Sequence, residues 1–247
     1  MSIVTRTAAR RPRAFVRVKG PDAEDFLQRM VSNDVTQADV VDALLLTPKA
    51  RLIAPLRVWR RGADHFLVGT EPSLGDAVRT ALLRARFAAK CEIEPEEHTS
   101  TLVWTDDFAR AEELLDAELE PTAAEDAVER ARIEAGIPAW GKELDESILP
   151  AEAGLDETHI SFTKGCYPGQ EPIARLHYRG HVNRKLRVLR VESAQAGDEI
   201  AFEGKNVGRV TSAVPGRALG YVRTEVPEDA TLLIAETPAK LVPAPRP

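Results

Sequence analysis

Cysteine is nearly missing from this chain of 247 residues: Cys91 and Cys166 are the only two. Two thiols exclude a disulfide framework and a four-cysteine metal site within one chain. Long apolar runs are missing as well. None approaches the roughly 18 to 20 residues that a membrane-spanning helix needs, and the amino terminus has no apolar core of the secretory kind. There is no basic excess either. Lys and Arg number 33 against 39 Asp and Glu, for a formal net charge of −6. That balance argues against a general nucleic-acid or membrane-surface binder. The phosphate-cradling pattern that ends in Gly-Lys-Ser/Thr does not occur, so nothing indicates nucleotide hydrolysis. What remains is ordinary for a folded chain: 43% hydrophobic and 29% charged residues, enough for one large domain or two modest ones. The expectation is a soluble, cytoplasmic protein.

The average charge hides a strong polarity. Thr105 to Glu157 holds seventeen acidic and four basic residues, whereas Ile173 to Val191 holds six basic residues and no acid. The acidic stretch reads as solvent-facing helix surface, and the basic one reads equally well as surface charge or as a local anion site. Met1 to Ala14 is Arg-rich and free of acids, superficially like an organellar transit peptide. The chain prefers Arg to Lys throughout, 25 to 8, which accounts for that start without a targeting role.

Alternation at Ala14 to Val18 predicts a first strand. Gly20-Pro21-Asp22 then opens a helix carrying Phe26, Leu27, Met30 and Val31, which Ser32-Asn33-Asp34 ends. Leu44–Leu46, Leu52–Trp59 and His65–Val68 read as strands, the last two joined by a hairpin-like turn. A helix is expected from about Pro72 to Ala89, then strands at Cys91–Ile93 and Thr101–Trp104. A helical pair follows, one member marked by Phe108, Ala111, Leu115 and Leu119, the other by Ala124, Ala127, Val128 and Ala131. Trp140 to Gly180 lacks periodicity and reads as a long irregular segment, a kind that tends to be functional. From Arg184 on, short strands at Leu186–Val191, Glu199–Phe202, Asn206–Thr211, Leu219–Val222 and Thr231–Ile234 alternate with turns, as in a small barrel or sandwich. The tail Pro243–Pro247 is expected to fray. The fold class is α+β, with a body over 1–183 and a C-terminal β module over 184–247.

Chemistry concentrates in Lys164-Gly-Cys-Tyr-Pro-Gly-Gln-Glu171. Glycines on both sides of Cys166 permit tight turns, and Lys164 would favour its thiolate if the two side chains converge. Cys91 alternates with Ile93 and fits an inert core thiol, whereas Cys166 sits among loop formers and charges and reads as reactive. His177 and His181 are four apart, but Gly180 argues against one helix carrying both. They read as solvent-facing or anion-binding, and no metal site is expected.

The octet, followed by Ala174-Arg175 and Arg179-Gly180, resembles the signature of the YgfZ family of folate-binding proteins, relatives of the glycine-cleavage aminomethyltransferase (T-protein, GcvT). The resemblance covers nearly the whole chain. It runs through Val18-Lys-Gly-Pro-Asp-Ala-Glu-Asp-Phe-Leu-Gln28 with Ser32-Asn-Asp-Val35, and Arg132-Ile-Glu-Ala-Gly-Ile137 with Trp140-Gly-Lys-Glu-Leu144. It continues in Leu149-Pro-Ala-Glu-Ala-Gly-Leu155 and Val207-Gly-Arg-Val-Thr-Ser212. It implies a ring of three subdomains, two in the body and the terminal barrel, around a channel for tetrahydrofolate or a derivative. Glu134 matches the family's pterin-binding glutamate and is expected in an apolar setting. Trp140 is a candidate flat wall, Tyr167 and Gln170 are candidate ligand contacts, and Arg175 and Arg179 are candidates for the anionic folate tail. The family also implies iron–sulfur client or assembly proteins as partners, with Cys166 as functional thiol and Lys164 as its tuner. Two cysteines leave no self-contained four-thiolate cluster. The acid pair of the aminomethyltransferases aligns with Ala54 and Pro55, so glycine-cleavage activity is expected to be absent. The leading expectation is a folate-binding accessory protein for iron–sulfur cluster assembly, insertion or repair. A folate-dependent one-carbon transferase and a folate-free scaffold are the alternatives.

Overall fold

The computed structural model describes residues 6–105 and 107–243. Alternating apolar residues build the largest sheet. Strands β2 (Ala14–Lys19), β3 (Val40–Leu46), β4 (Leu52–Gly62), β5 (His65–Thr70) and β6 (Glu92–Pro95) run antiparallel in the order β3-β4-β5-β2-β6. Helices α1 (Ala23–Met30) and α2 (Gly75–Ala85) are packed into its core. Phe26 and Leu27 of α1 and Val78 and Leu82 of α2 are buried with Val16, Leu45, Leu56 and Phe66. Each such side chain contributes ~1.5–3 kcal/mol on burial. Cys91 belongs to this core and is 6% exposed. Burial pushes its thiol pKa up, as an inert packing residue requires.

A second sheet corrects the expected helix at Phe108–Leu119. Strand β7 (Ser100–Trp104) is flanked by β1 (Thr7–Arg10) and β8 (Glu112–Leu115), both antiparallel to it. Only Phe108–Arg110 forms a helical turn there, of the 3-10 kind. The apolar spacing at 108–119 imitates a helix, but Glu113 settles the conformation. Its buried carboxylate accepts from Arg13 Nε at 2.5 Å, Arg13 Nη2 at 2.8 Å and Ser100 Oγ at 2.8 Å. A strand register sends that side chain inward, and burial, which opposes ionisation, is outweighed by Arg13. Four residues of the Arg-rich start, Thr7–Arg10, thus form the sheet edge β1, while residues 1–5, and 244–247 of the tail expected to fray from Pro243, lie outside the described residues.

The C-terminal strands close into a barrel in the order β10-β11-β12-β9-β14-β13. They are β9 (Arg184–Val191), β10 (Glu199–Phe202), β11 (Lys205–Val214), β12 (Arg217–Arg223), β13 (Thr231–Ile234) and β14 (Thr237–Val242). Strand β14 carries no local turn signal, because its hairpin with β13 turns at Ala235 and Glu236, whose φ values of 45° and 68° arise without glycine. Leu189, Ile200, Leu232 and Ile234 fill the interior.

The barrel is tied to the body through helix α3 (Glu125–Ala135), which ends at Gly136 with φ 72°, a left-handed position that glycine adopts at little cost. From α3, Arg132 Nη1 donates to Glu143 Oε2 at 2.8 Å and to the Ile137 carbonyl at 2.6 Å. Its Nη2 reaches Ser212 Oγ on β11 at 2.9 Å, and Ser212 Oγ in turn donates to Glu143 Oε1 at 2.5 Å. Tyr221 on β12 donates its hydroxyl to the Glu143 carbonyl at 2.8 Å. Both charged groups are buried, so removing one strands the other. Arg132→Met is expected to lower the free energy of unfolding by about 3–5 kcal/mol in urea titration, and Arg132→Lys by less.

Candidate functional site

The octet leads into helix α4 (Gln170–Arg179), so the segment expected to be irregular contains a helix. The signal was weak because Ile173 is its only buried residue. Glu171 lies in its first turn and His177 and Arg179 in its last, matching the helix dipole, and Pro172 falls where no intrahelical N–H is needed. The helix stops at Gly180, so His177 and His181 do not share a helical face.

Two anchors hold the octet. At one end, the buried Lys164 ammonium donates to the carbonyls of Val31 at 2.8 Å and Asn33 at 2.7 Å. Val31 is the C-cap of α1, so the cation neutralises the negative end of a helix far away in sequence. Burial pushes the Lys164 pKa down to about 8, opposed by the charge of Asp34. No hydrogen bond joins Lys164 to Cys166 among the described contacts; the ammonium is committed to the carbonyls. At the other end, Gly169 has φ 85°, and a Cβ there would come within 2.7 Å of the Thr47 carbonyl oxygen and 3.0 Å of Ala50 Cα. Between the anchors Cys166 is exposed. Tyr167 beside it is buried, and its hydroxyl has no hydrogen-bond partner among the described residues. Burial pushes that phenol up to about 12.

Arg175 and Arg179 line a cleft of about 870 Å³ between α4 and the barrel, together with His177 and His181. The other expected site residues stand elsewhere: Glu134, Trp140, Cys166, Tyr167 and Gln170 are not part of that lining. Glu134 on α3 is exposed, not in an apolar pocket, and its partner is Arg130 one turn away at 3.5 Å. The buried carboxylate of this region is Glu143, which sequence reasoning passed over although it lies within the Trp140–Leu144 motif. Trp140 is half-buried against the core that contains Tyr167, Leu144 and Tyr221. Ala54 is buried in β4 and Pro55 half-buried. Among the described residues no group of three or more His, Cys, Asp or Glu is arranged to hold a metal ion, and no helix is long and apolar enough to cross a membrane.

Comparison with known proteins is consistent with this geometry. Residues 184–245 match the CAF17 C-terminal beta-barrel domain. The crystal structure of the glycine cleavage system aminomethyltransferase T from Bartonella henselae superposes with a TM-score of 0.77 at 17% identity, covering 96% of this chain and 84% of that one. The tRNA-modifying protein YgfZ of Enterobacter sp. (strain 638) is 28% identical, with 85% of this chain matched to 81% of that protein. An iron-sulfur cluster assembly factor IBA57 homolog of Mycosarcoma maydis is also 28% identical, with 70% of this chain matched to 54% of that one. The superposition shows an aminomethyltransferase-like fold, completed by a closed six-stranded C-terminal barrel. Within that fold the chain is similar to the YgfZ proteins, the resemblance that the octet and its companion motifs carry.

The anchors make two predictions. The folded pKa of Lys164, about 8, lies below its ordinary value of 10.5, so between those pH values the unfolded chain binds more protons. The Lys164 contribution to stability therefore rises with pH across that window. Lys164→Met is expected to remove this rise, read as the urea midpoint against pH for the two proteins. Gly169→Ala, strained in φ and crowded by Thr47, is expected to cost about 1–3 kcal/mol in the same assay.

Proposed function

We propose that this chain is a cytoplasmic, tetrahydrofolate-binding accessory protein that supports assembly, insertion or repair of iron–sulfur clusters in client enzymes, with Cys166 as its working thiol. The observation that carries the reading is the exposed Cys166 on a turn anchored by Lys164 and Gly169. A thiolate there can ligate iron or exchange sulfur with a partner, and a pre-ordered turn lowers the entropy cost of presenting it. The names of the YgfZ and IBA57 relatives support the client class. The cluster is cargo, held in passing. In this reading residues 1–183 form the folate-binding body and residues 184–247 the barrel that completes it.

Two polar groups with unmet hydrogen-bonding capacity support the folate reading. Glu134 has one partner at 3.5 Å and is half exposed, so its carboxylate has acceptor capacity for the adjacent N3–H and 2-amino donors of a pterin edge. The buried, unpartnered hydroxyl of Tyr167 is a further polar group with unmet capacity. Tetrahydrofolate supplies one-carbon chemistry when bound. This chain contributes recognition: Glu134 orients the pterin by accepting its paired donors, with Trp140 and Gln170 as the other proposed contacts. Neither Ala54 nor Pro55 offers a carboxylate where the acid pair of the aminomethyltransferases aligns, so the proposed role is non-catalytic. Arg175 and Arg179 line a cleft that does not include Glu134.

Mass spectrometry of ligand released from native protein should detect a folate, and calorimetry should show tetrahydrofolate binding. That binding is expected to survive Cys166→Ser and to weaken at least tenfold in Glu134→Ala, a loss of about 1.4 kcal/mol or more. No folate binding by the wild type would sink the ligand assignment. In cells, Cys166→Ser should lower the activity of iron–sulfur client enzymes, and undiminished activity would remove the thiol from the role.

A further inference from the structure

The cleft between α4 and the barrel has a chemistry of its own. Three elements deliver cations to it: Lys49 from the β3–β4 turn, Arg175 and Arg179 from α4, and Lys185 from β9. Arg175 and Arg179 are four residues apart and share a helix face, although like charges at that spacing cost ~0.2–0.5 kcal/mol. None of these four cations has an ion pair or side-chain hydrogen bond among the described contacts. The two other cations of the lining are spoken for: Arg51 donates to the Ser147 carbonyl at 2.5 Å, and Arg187 pairs with Glu228. That leaves Asp156 as the lining acid with no such pairing. A concave surface on which four unpaired cations face one unpaired acid focuses a net positive field on the space it encloses.

Apolar side chains share the lining with the cations. Ile160, Phe162, Ile173 and Val182 line it, and the Phe162 ring stacks on His177 with centroids 3.9 Å apart and planes 22° apart. Phe162 is thus a lining ring braced on one face by His177. The volume of about 870 Å³ is in the range that encloses a small molecule. We infer that this cleft binds a small polyanion carrying a flat ring, its charges met by Lys49, Arg175, Arg179 and Lys185 and its ring packed on Phe162, at a site separate from Glu134. Phosphorylated nucleosides and pteroyl compounds with several γ-glutamyl carboxylates share this chemistry. The inference stands on the cleft alone and does not depend on the folate assignment.

The test uses full-length Glu134→Ala protein, so that the proposed folate contact is already removed. Adenosine triphosphate, pteroyl-tri-γ-glutamate and inorganic tripolyphosphate are titrated by calorimetry at about 0.15 M salt, where exposed charges are screened within ~8 Å. At least one ring-bearing probe should bind, and adding Arg175→Gln with Arg179→Gln should weaken it about tenfold or more. Whichever probe responds identifies the source of the charge, nucleotide or polycarboxylate. Tripolyphosphate should bind at least about tenfold more weakly, because it lacks the ring. Both arginines are exposed, and circular dichroism checks that the variant is folded. Three results overturn the inference: no binding of either ring-bearing probe, no loss in the arginine variant, or tripolyphosphate binding as tightly as the ring-bearing probes.

Discussion

The buried pair of Arg132 and Glu143 is the interaction on which the rest of this molecule depends. A guanidinium and a carboxylate removed from water are tolerated only when their remaining hydrogen-bonding capacity is met, and here it is met from both parts of the chain. Glu129 takes two donors of Arg132 at 2.8 and 2.7 Å, and the Arg132 hydrogen bond holds its own carboxyl at about 2. Ser212 of the barrel bridges the pair, and Tyr221 of the barrel closes on the Glu143 backbone. The planar fork of arginine specifies direction as well as distance, so the barrel is held in one orientation against α3.

That orientation sets everything near the octet. Tyr221 is in one apolar cluster with Leu144, Ile148, Ala50, Ile173 and Tyr167. The same cluster therefore supports the barrel wall, the β3–β4 turn, α4 and the residue after Cys166. A thiol that works on a partner has to be exposed, while a turn that presents it has to be ordered. The fold meets both demands by placing the anchors on either side of Cys166 and leaving the sulfur outside the core. Lys164 serves this end by capping a distant helix, a structural role for a side chain whose proximity in sequence suggested an electrostatic one.

Much of the architecture was legible in the sequence because local and tertiary preferences agree there. The alternation of Val16, Arg17, Val18 and Lys19 and a sharp stop at Gly136 follow from strand pleating and from the left-handed glycine C-cap. The readings failed where tertiary contacts overrode local pattern. Glu112–Leu115 follows the ladder with β7 and the Arg13 ion pair, not its helical spacing. Helix α4 carries too few buried residues to mark a period, and β14 follows a turn without glycine. For the site, the octet and the singular status of Cys166 were visible, but the dispersal of Glu134, Trp140 and the two arginines was not.

Residue order alone determined which groups are available: two thiols of different character, a body acidic in its middle, and a basic run from Arg175 to Arg190. It also determined the motif order that carries the similarity to the YgfZ proteins. Only the tertiary structure decided how those groups are used. Cys91 is buried and Cys166 is not, because burial depends on which faces pack together. Lys164 reaches a carbonyl 133 residues away, and the basic run divides between a cleft wall and barrel surface. Distances of that kind are set by chain reversal and side-chain packing, which no local spacing encodes.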